Sequence, residues 1–313
     1  MNSLVKREAV IRHVLASPYS SFYRNHFRSE IAHNLTEETW ASMPLLSRTD
    51  ITIIPFWKRV FAPRESVPVV RNTYGTTGAH TLVVPRSTYG DYKGIFGSPA
   101  PRIVMNFFAS AHNHFPQLQI GSQTVYGDVK HLDGTVAIAE CLRPDCIYLP
   151  PYAALIFGAR LSPRIRNGIR LVLMTGERCS APQYAELKRL YPHARVAMTY
   201  ASSETREAVA LSCERMQRQP SLIHEISSLF YVELVHPETG TLLSDDVAEG
   251  ELVITTLETL VPFPLIRYRT GDLARRSACG CSQLFSYEVL GRVQAYPVKI
   301  ARGQLTLPAV EQL

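Results

Sequence analysis

The stretch RLVLMTGERCSAPQYAELKRLYPHARVAMT, residues 170–199, decides the fold class. Its two ends, Arg170 to Met174 and Arg195 to Thr199, are short apolar runs of the kind buried in a parallel sheet. Between them Ser180 stands where a helix N-cap belongs and Pro182 falls in the first turn. Tyr184, Leu187 and Leu190 then share one helical face. Strand, helix and strand at this spacing predict a βαβ unit with a right-handed crossover. The expected fold class is α/β.

Outward from that unit, Leu4 to Leu15 has helical spacing. A loop carrying Pro18, Tyr19 and Tyr23 is expected next, then a helix-like region before Pro44. Arg102 to Phe108 reads as another buried strand. After Ser228 the texture changes: Leu229 to Val235 and Glu251 to Leu257 alternate like half-buried strands around the turn Pro237-Glu238-Thr239-Gly240. This predicts a core over 1–292, with a β-rich lobe at 228–292, then a hinge segment at 293–313. No Gly/Ser linker separates core from lobe, so the two are expected to pack as one body.

A chain of 313 residues that is 46% hydrophobic and 19% charged can bury a real core, which excludes a disordered class. Lys and Arg number 33 against 27 Asp and Glu, but the basic residues cluster only in short groups such as Arg164, Arg166 and Arg170. No nucleic-acid partner is expected. No stretch approaches the roughly 20 apolar residues of a membrane span, and Met1 to Val10 has no signal-peptide pattern. Six cysteines are too sparse for a disulfide scaffold. The expectation is a cytoplasmic protein with no membrane partner.

Thr73-Tyr74-Gly75-Thr76-Thr77-Gly78 lies between the strand-like runs Val67–Val70 and Thr81–Val84. Its glycines let backbone N–H groups approach an anion, and its threonines add hydroxyl donors. Taken alone the segment reads first as a Gly/Thr-rich hairpin turn. Its ordered company changes that. Gly176-Glu177 follows one core strand and Tyr200-Ala201-Ser202-Ser203-Glu204 the next. Arg267-Tyr268-Arg269-Thr270-Gly271-Asp272-Leu273 and Leu290-Gly291-Arg292 come later. These motifs, in this order, resemble the signature of adenylate-forming ligases of the phenylacetate-CoA ligase type. Ser21-Phe22-Tyr23-Arg24 and Lys299-Ile300-Ala301-Arg302-Gly303 extend the resemblance from about Tyr19 to Leu313.

The resemblance implies activation of a carboxylic acid by ATP to an acyl-adenylate, followed by transfer to the thiol of coenzyme A or a carrier protein. It implies that Thr73, Gly75, Thr76, Thr77 and Gly78 cradle phosphates, with Ser203 close by. Glu204 would hold Mg²⁺, Asp272 the ribose hydroxyls, and Gly176, Glu177 and Tyr200 the adenine; Arg292 would mark the hinge. Thr76, Glu204 and Arg292 are the candidate catalytic residues. Phe107, Phe108, His112, His114, Phe115 and Ala201 are the candidate acid pocket, and their aromatic density suits an aryl acid. Each residue has a bland alternative: Glu204 could cap a helix, Asp272 could brace a turn, and Tyr200 could be core.

The sequence departs from the family pattern where Ala79-His80 replace a Lys-Pro after the phosphate loop. Ala201 replaces a glycine, and Gln294-Ala295 stand in the hinge. The family continues into a small mobile C-terminal subdomain bearing a catalytic lysine, so a separate subdomain acting in trans is one expected partner. Cys213, His224, Cys279 and Cys281 make a Cys₃His set of the structural zinc type, with unrelated free thiols as the alternative. Against the enzyme stands a second reading, a non-catalytic nucleotide- or acyl-binding relative.

Overall fold

The computed structural model describes residues 3–19, 21–27, 35–67, 71–74, 80–83, 99–108, 122–202, 204–205, 208–212, 222–225, 229–259, 261, 263–277, 286–293, 297–300 and 303–306. The βαβ unit forms as its sequence predicts. Strand β6 (Leu171–Met174) and strand β7 (Arg195–Ala201) pair in parallel, flanking the helix Ala181–Leu190. Ser180 caps that helix in a capping box with Gln183, and Tyr184, Leu187 and Leu190 are buried. β3 (Ile103–Asn106), β4 (Gln123–Tyr126) and β5 (Cys146–Leu149) extend the parallel half in the order β4-β3-β5-β6-β7. Helices Leu132–Leu142, Pro151–Arg160 and Ala181–Leu190 cover one face, around Met105, Ile147, Phe157, Val172 and Leu187.

Beyond β7 the same sheet continues antiparallel. β8 (Ala208–Ser212) and β9 (Leu222–Glu225) come next, then β13 (Ser286–Arg292), β12 (Tyr268–Ser277), β11 (Glu249–Thr256) and β10 (Phe230–Val235). The β-rich stretch thus hydrogen-bonds directly to the α/β core through β7 and β8. The sheet curls strongly. β7 and β12 are four steps apart, about 19 Å in a flat sheet, yet the Tyr200 hydroxyl on β7 donates to Asp272 Oδ2 on β12 at 2.7 Å. β10 likewise folds back against β9. Val209, Phe230, Val232, Leu252, Ile254, Ala274 and Tyr287 fill the inside of the curl.

Two local expectations change. β11 is not half-buried: every residue after Glu249 is buried, because the curl covers one face and the N-terminal helices the other. Tyr23 lies not in a loop but in the helix Phe22–His26, whose rings pack on Phe27, Phe61 and Phe263. Of the strand-like run expected at 67–70, residues 68–70 lie outside the described residues; the described strand that follows is Arg71–Tyr74 (β1). It forms a hairpin with β2 (His80–Val83), in which Tyr74 faces His80 in register. Pro297–Ile300 and Gly303–Thr306 make a separate two-stranded ladder. Among the described residues no helix is long and apolar enough to cross a membrane.

The N-terminal helices are tied to the sheet by one buried network. Trp40 Nε1 donates to Glu233 Oε2 at 2.6 Å and Arg267 Nε to Glu233 Oε1 at 2.7 Å. Arg267 Nη1 also donates to the carbonyls of Trp40, Ala41 and Met43. Removing one partner of a buried pair leaves an uncompensated charge. Glu233→Gln should therefore lower stability by about 3–5 kcal/mol, read as a shift of the denaturant midpoint. An unshifted midpoint would contradict this role for the pair.

Candidate functional site

The curl of the sheet and the N-terminal segment tied to it converge on one cluster. Tyr200 ends β7. Ser202 and Thr205 then close a tight turn, Ser202 N donating to Thr205 Oγ1 at 3.0 Å and Thr205 N to Ser202 Oγ at 3.2 Å. Glu204 is held within that turn, so the expected alternative of a helix cap does not apply: residues 204–205 are turn. On β12, Tyr268, Thr270 and Asp272 lie at a register shift of the β11–β12 pairing, where strict alternation is broken. Gly271 between the last two has φ +74, and a Cβ there would sit 3.6 Å from Arg292 Nη1. Glycine is favoured there because that backbone region strains other residues.

Asp272 is the hub. Its Oδ2 accepts from the Tyr200 hydroxyl at 2.7 Å, and its Oδ1 faces Arg292 Nε at 3.1 Å. Arg292 Nη1 donates to the Thr270 carbonyl at 2.9 Å, which locks the guanidinium across the strand. Burial raises the Asp272 carboxyl above its ordinary value, outweighing Arg292 and the Tyr200 hydrogen bond, which act to lower it. Burial, then the Asp272 charge, pushes the Tyr200 phenol well up, so it remains a donor. Burial, then Glu204, likewise raises Tyr268, whose hydroxyl is hydrogen-bonded to Glu204. Tyr200 also packs at the edge of the inner core, as its structural reading expects.

Two participants carried no sequence signal. Arg48 Nε lies 3.7 Å from Glu204 Oε1. It is the first residue of the helix Arg48–Ile53, capped by Ser47 and Asp50 in a capping box. Leu46 pins that segment to β12: its N–H donates to the Arg267 carbonyl and its carbonyl accepts from the Arg269 N–H. Tyr268 stands in the motif Arg267–Leu273, where the sequence alone assigns it no role. A capping box was readable around Ser47, but the contact with Glu204 depends on where the N-terminal segment crosses the sheet.

Gly176 and Glu177 follow β6. Gly176 has φ +86, and a Cβ on it would lie 3.9 Å from the Phe108 ring. Burial raises the Glu177 carboxyl. Phe107 and Phe108 point opposite ways. Phe107 packs on Phe157 among the covering helices, at 4.8 Å between ring centroids, whereas Phe108 meets Tyr148, also at 4.8 Å. Ala201 pairs with Ala208 at the end of β7. Thr73 lies on β1. Gly75, Thr76, Thr77, Gly78, Ser203, His112, His114 and Phe115 lie outside the described residues. So do Cys213, Cys279 and Cys281, while the backbone of His224 sits on β9 opposite Leu211.

Among the described residues no three metal-ligating side chains come together. A single buried carboxylate such as Glu204 suits Mg²⁺ shared with phosphate oxygens, not an all-protein cage. Because Asp272 titrates above an ordinary carboxyl, ionising it costs folding free energy as pH rises from about 4. Asp272→Asn should therefore melt at or above the wild-type temperature at neutral pH. That advantage should fade on acidification, once the wild-type carboxyl is protonated too. A variant that melts lower at neutral pH and converges upward in acid would reverse this assignment.

A search of protein-family models finds no match. The chain is 25% identical over 232 residues to the phenylacetate-coenzyme A ligase of Escherichia coli K12, covering 68% of this chain and 52% of that protein. It is 25% identical over 279 residues to the phenylacetate-coenzyme A ligase of Pseudomonas putida, covering 81% and 61%. The chain thus spans about half to three-fifths of the length of these curated relatives. Among solved structures, 2-hydroxyisobutyryl-CoA ligase in complex with 2-HIB-AMP and CoA superposes with a TM-score of 0.74 at 17% identity. That match covers 96% of this chain and 76% of that one. The chain is similar in sequence to phenylacetate-coenzyme A ligases and shares the fold of 2-hydroxyisobutyryl-CoA ligase.

Proposed function

We propose that this chain binds ATP or AMP and activates a carboxylic acid, aryl in character, as an acyl-adenylate. One observation carries the reading: Tyr200, Glu204, Asp272 and Arg292, from separate segments, meet in one cluster at the sheet's curl. Asp272 is an acceptor that the Tyr200 donor and Arg292 hold in place, as ribose hydroxyls require. The Gly75–Gly78 loop would take the phosphates. Glu204 would hold Mg²⁺, which would offset phosphate charge. Arg48, next to Glu204, adds a cation to the same side of the site. The nucleophile would be the acid's own carboxylate, so the protein's work is positioning and charge neutralisation.

Calorimetric titration with AMP, and with ATP and Mg²⁺, tests the binding half of this proposal. Asp272→Ala should weaken both nucleotides by about 1.5–3 kcal/mol through lost charge-assisted contacts. Arg48→Ala should weaken ATP more than AMP. Folded protein that binds neither nucleotide at millimolar concentration would sink the reading. The non-catalytic alternative shares this binding and differs in showing no pyrophosphate exchange with any acid. Coenzyme A, a carrier thiol or a subdomain in trans would enter only at or after that chemistry.

Zinc is a separate element of the proposal. β9, which carries His224, lies between β8, which ends just before Cys213, and β13, which begins after Cys279 and Cys281. A Cys₃His site there would staple strand ends and leave no open coordination position. Metal analysis of protein purified without chelator should return one zinc per chain. A value near zero, with every thiol titratable in the native state, would reject it.

A further inference from the structure

The carboxyl edge of the parallel half-sheet carries a polar group with no role in the cluster above. Asn106 ends β3 and is fully buried. Its Oδ1 accepts the Phe108 N–H at 2.9 Å. That bond sets the amide orientation, because the reverse would place NH₂ against N–H. Among the described residues Nδ2 then has no acceptor. A buried donor left unpaired is destabilising, and native structures hold few such groups without a reason.

Its surroundings point to a ligand. Register sets Asn106 beside Tyr148 on β5 and Tyr126 on β4. Thr124 shares that face of β4, and its Oγ1 is also buried without a partner. Phe108 and Tyr148 form an aromatic wall on this side, and Phe108 borders Gly176. The opposite face is closed by Phe107 and the helices. Open parallel sheets bind ligands beyond the carboxyl ends of their strands. Asn106 is three strands from β7, about 14 Å in a flat sheet. The reacting carboxylate belongs near the Tyr200–Asp272 cluster, so Asn106 can reach only the far end of the acid.

We propose that Asn106 is a specificity-determining residue: its Nδ2 donates to an oxygen at the end of an aryl acid remote from the carboxylate. The ring then lies against Phe108 and Tyr148, and the Thr124 hydroxyl supports the same oxygen. This rests on the carboxylate-activating reading and narrows it to acids with a distal oxygen. The test is calorimetric binding of phenylacetate and 4-hydroxyphenylacetate to the AMP-loaded protein, with AMP affinity measured separately. Wild type should bind the hydroxylated acid about tenfold more tightly, the worth of one buried hydrogen bond. Asn106→Leu should erase that preference with AMP affinity unchanged. Asn106→Asp keeps the Phe108 contact and should restore the preference, since the phenol can donate to the carboxylate. If the leucine variant does not fold, Asn106→Ala replaces it with the same expectation. Wild type that binds AMP but ignores the distal oxygen overturns the proposal alone, as does a preference that survives leucine or alanine. Failure to bind AMP would instead count against the nucleotide reading.

Discussion

The arrangement depends on the ion pair between Arg267 and Glu233. Both side chains are essentially inaccessible, and Trp40 completes the carboxylate's hydrogen bonds. Such a pair adds little stability compared with a well-packed apolar substitute, because two charges must be desolvated. Its consequence here is positional. Arg267 adopts φ +49, rare for a non-glycine residue, while its guanidinium grips the carbonyls of residues 40, 41 and 43. The next residue, Tyr268, begins β12, and Leu46 pairs with it. One buried charge pair thereby sets where the N-terminal segment crosses the sheet. That crossing brings Arg48 to Glu204.

The curl of the sheet is the second constraint. A flat sheet would hold β7 and β12 far apart, and a tyrosine could not bridge them. The apolar side chains of β8, β10, β11, β12 and β13 share one enclosed core. Burying them together closes the antiparallel half on itself. Arg178 ties the curl from outside, bonding Glu288 and the Leu290 carbonyl of β13 from the turn after β6. The Tyr200–Asp272 contact is thus a product of hydrophobic closure. Its low-dielectric setting is also what raises the carboxyl and phenol.

Similarity and geometry carry different parts of the functional reading. The relatives share about a quarter of aligned residues and are longer than this chain. They support the likeness to phenylacetate-coenzyme A ligases, while the proposed acid specificity is argued from side chains. Phe107 illustrates the difference. The residue falls in the stretch expected to line the acid pocket, yet strand alternation turns it into the helix-covered core and leaves Phe108 and Asn106 on the other side. A one-residue step along a strand reverses the face.

The sequence by itself determined the local elements and the order of the motifs. Ser180, Gln183 and Pro182 encode a helix start through backbone hydrogen bonds a few residues away, so the βαβ unit was legible from residues 170–199. The apolar runs that became β3, β6, β7, β10 and β11 were legible for the same reason, and so were Glu204 and Asp272 as candidate site residues. Burial was not: β11 looked half-exposed because alternation reports its own side chains, not what covers its two faces. Only the tertiary structure decided that Arg48 faces Glu204, that Tyr200 bonds Asp272 across 72 residues of chain, and that Asn106 has a donor unpaired among the described residues. Those contacts follow from sheet closure and a buried ion pair. Both are many-body consequences of desolvation, and neither leaves a periodic or short-range trace in the chain.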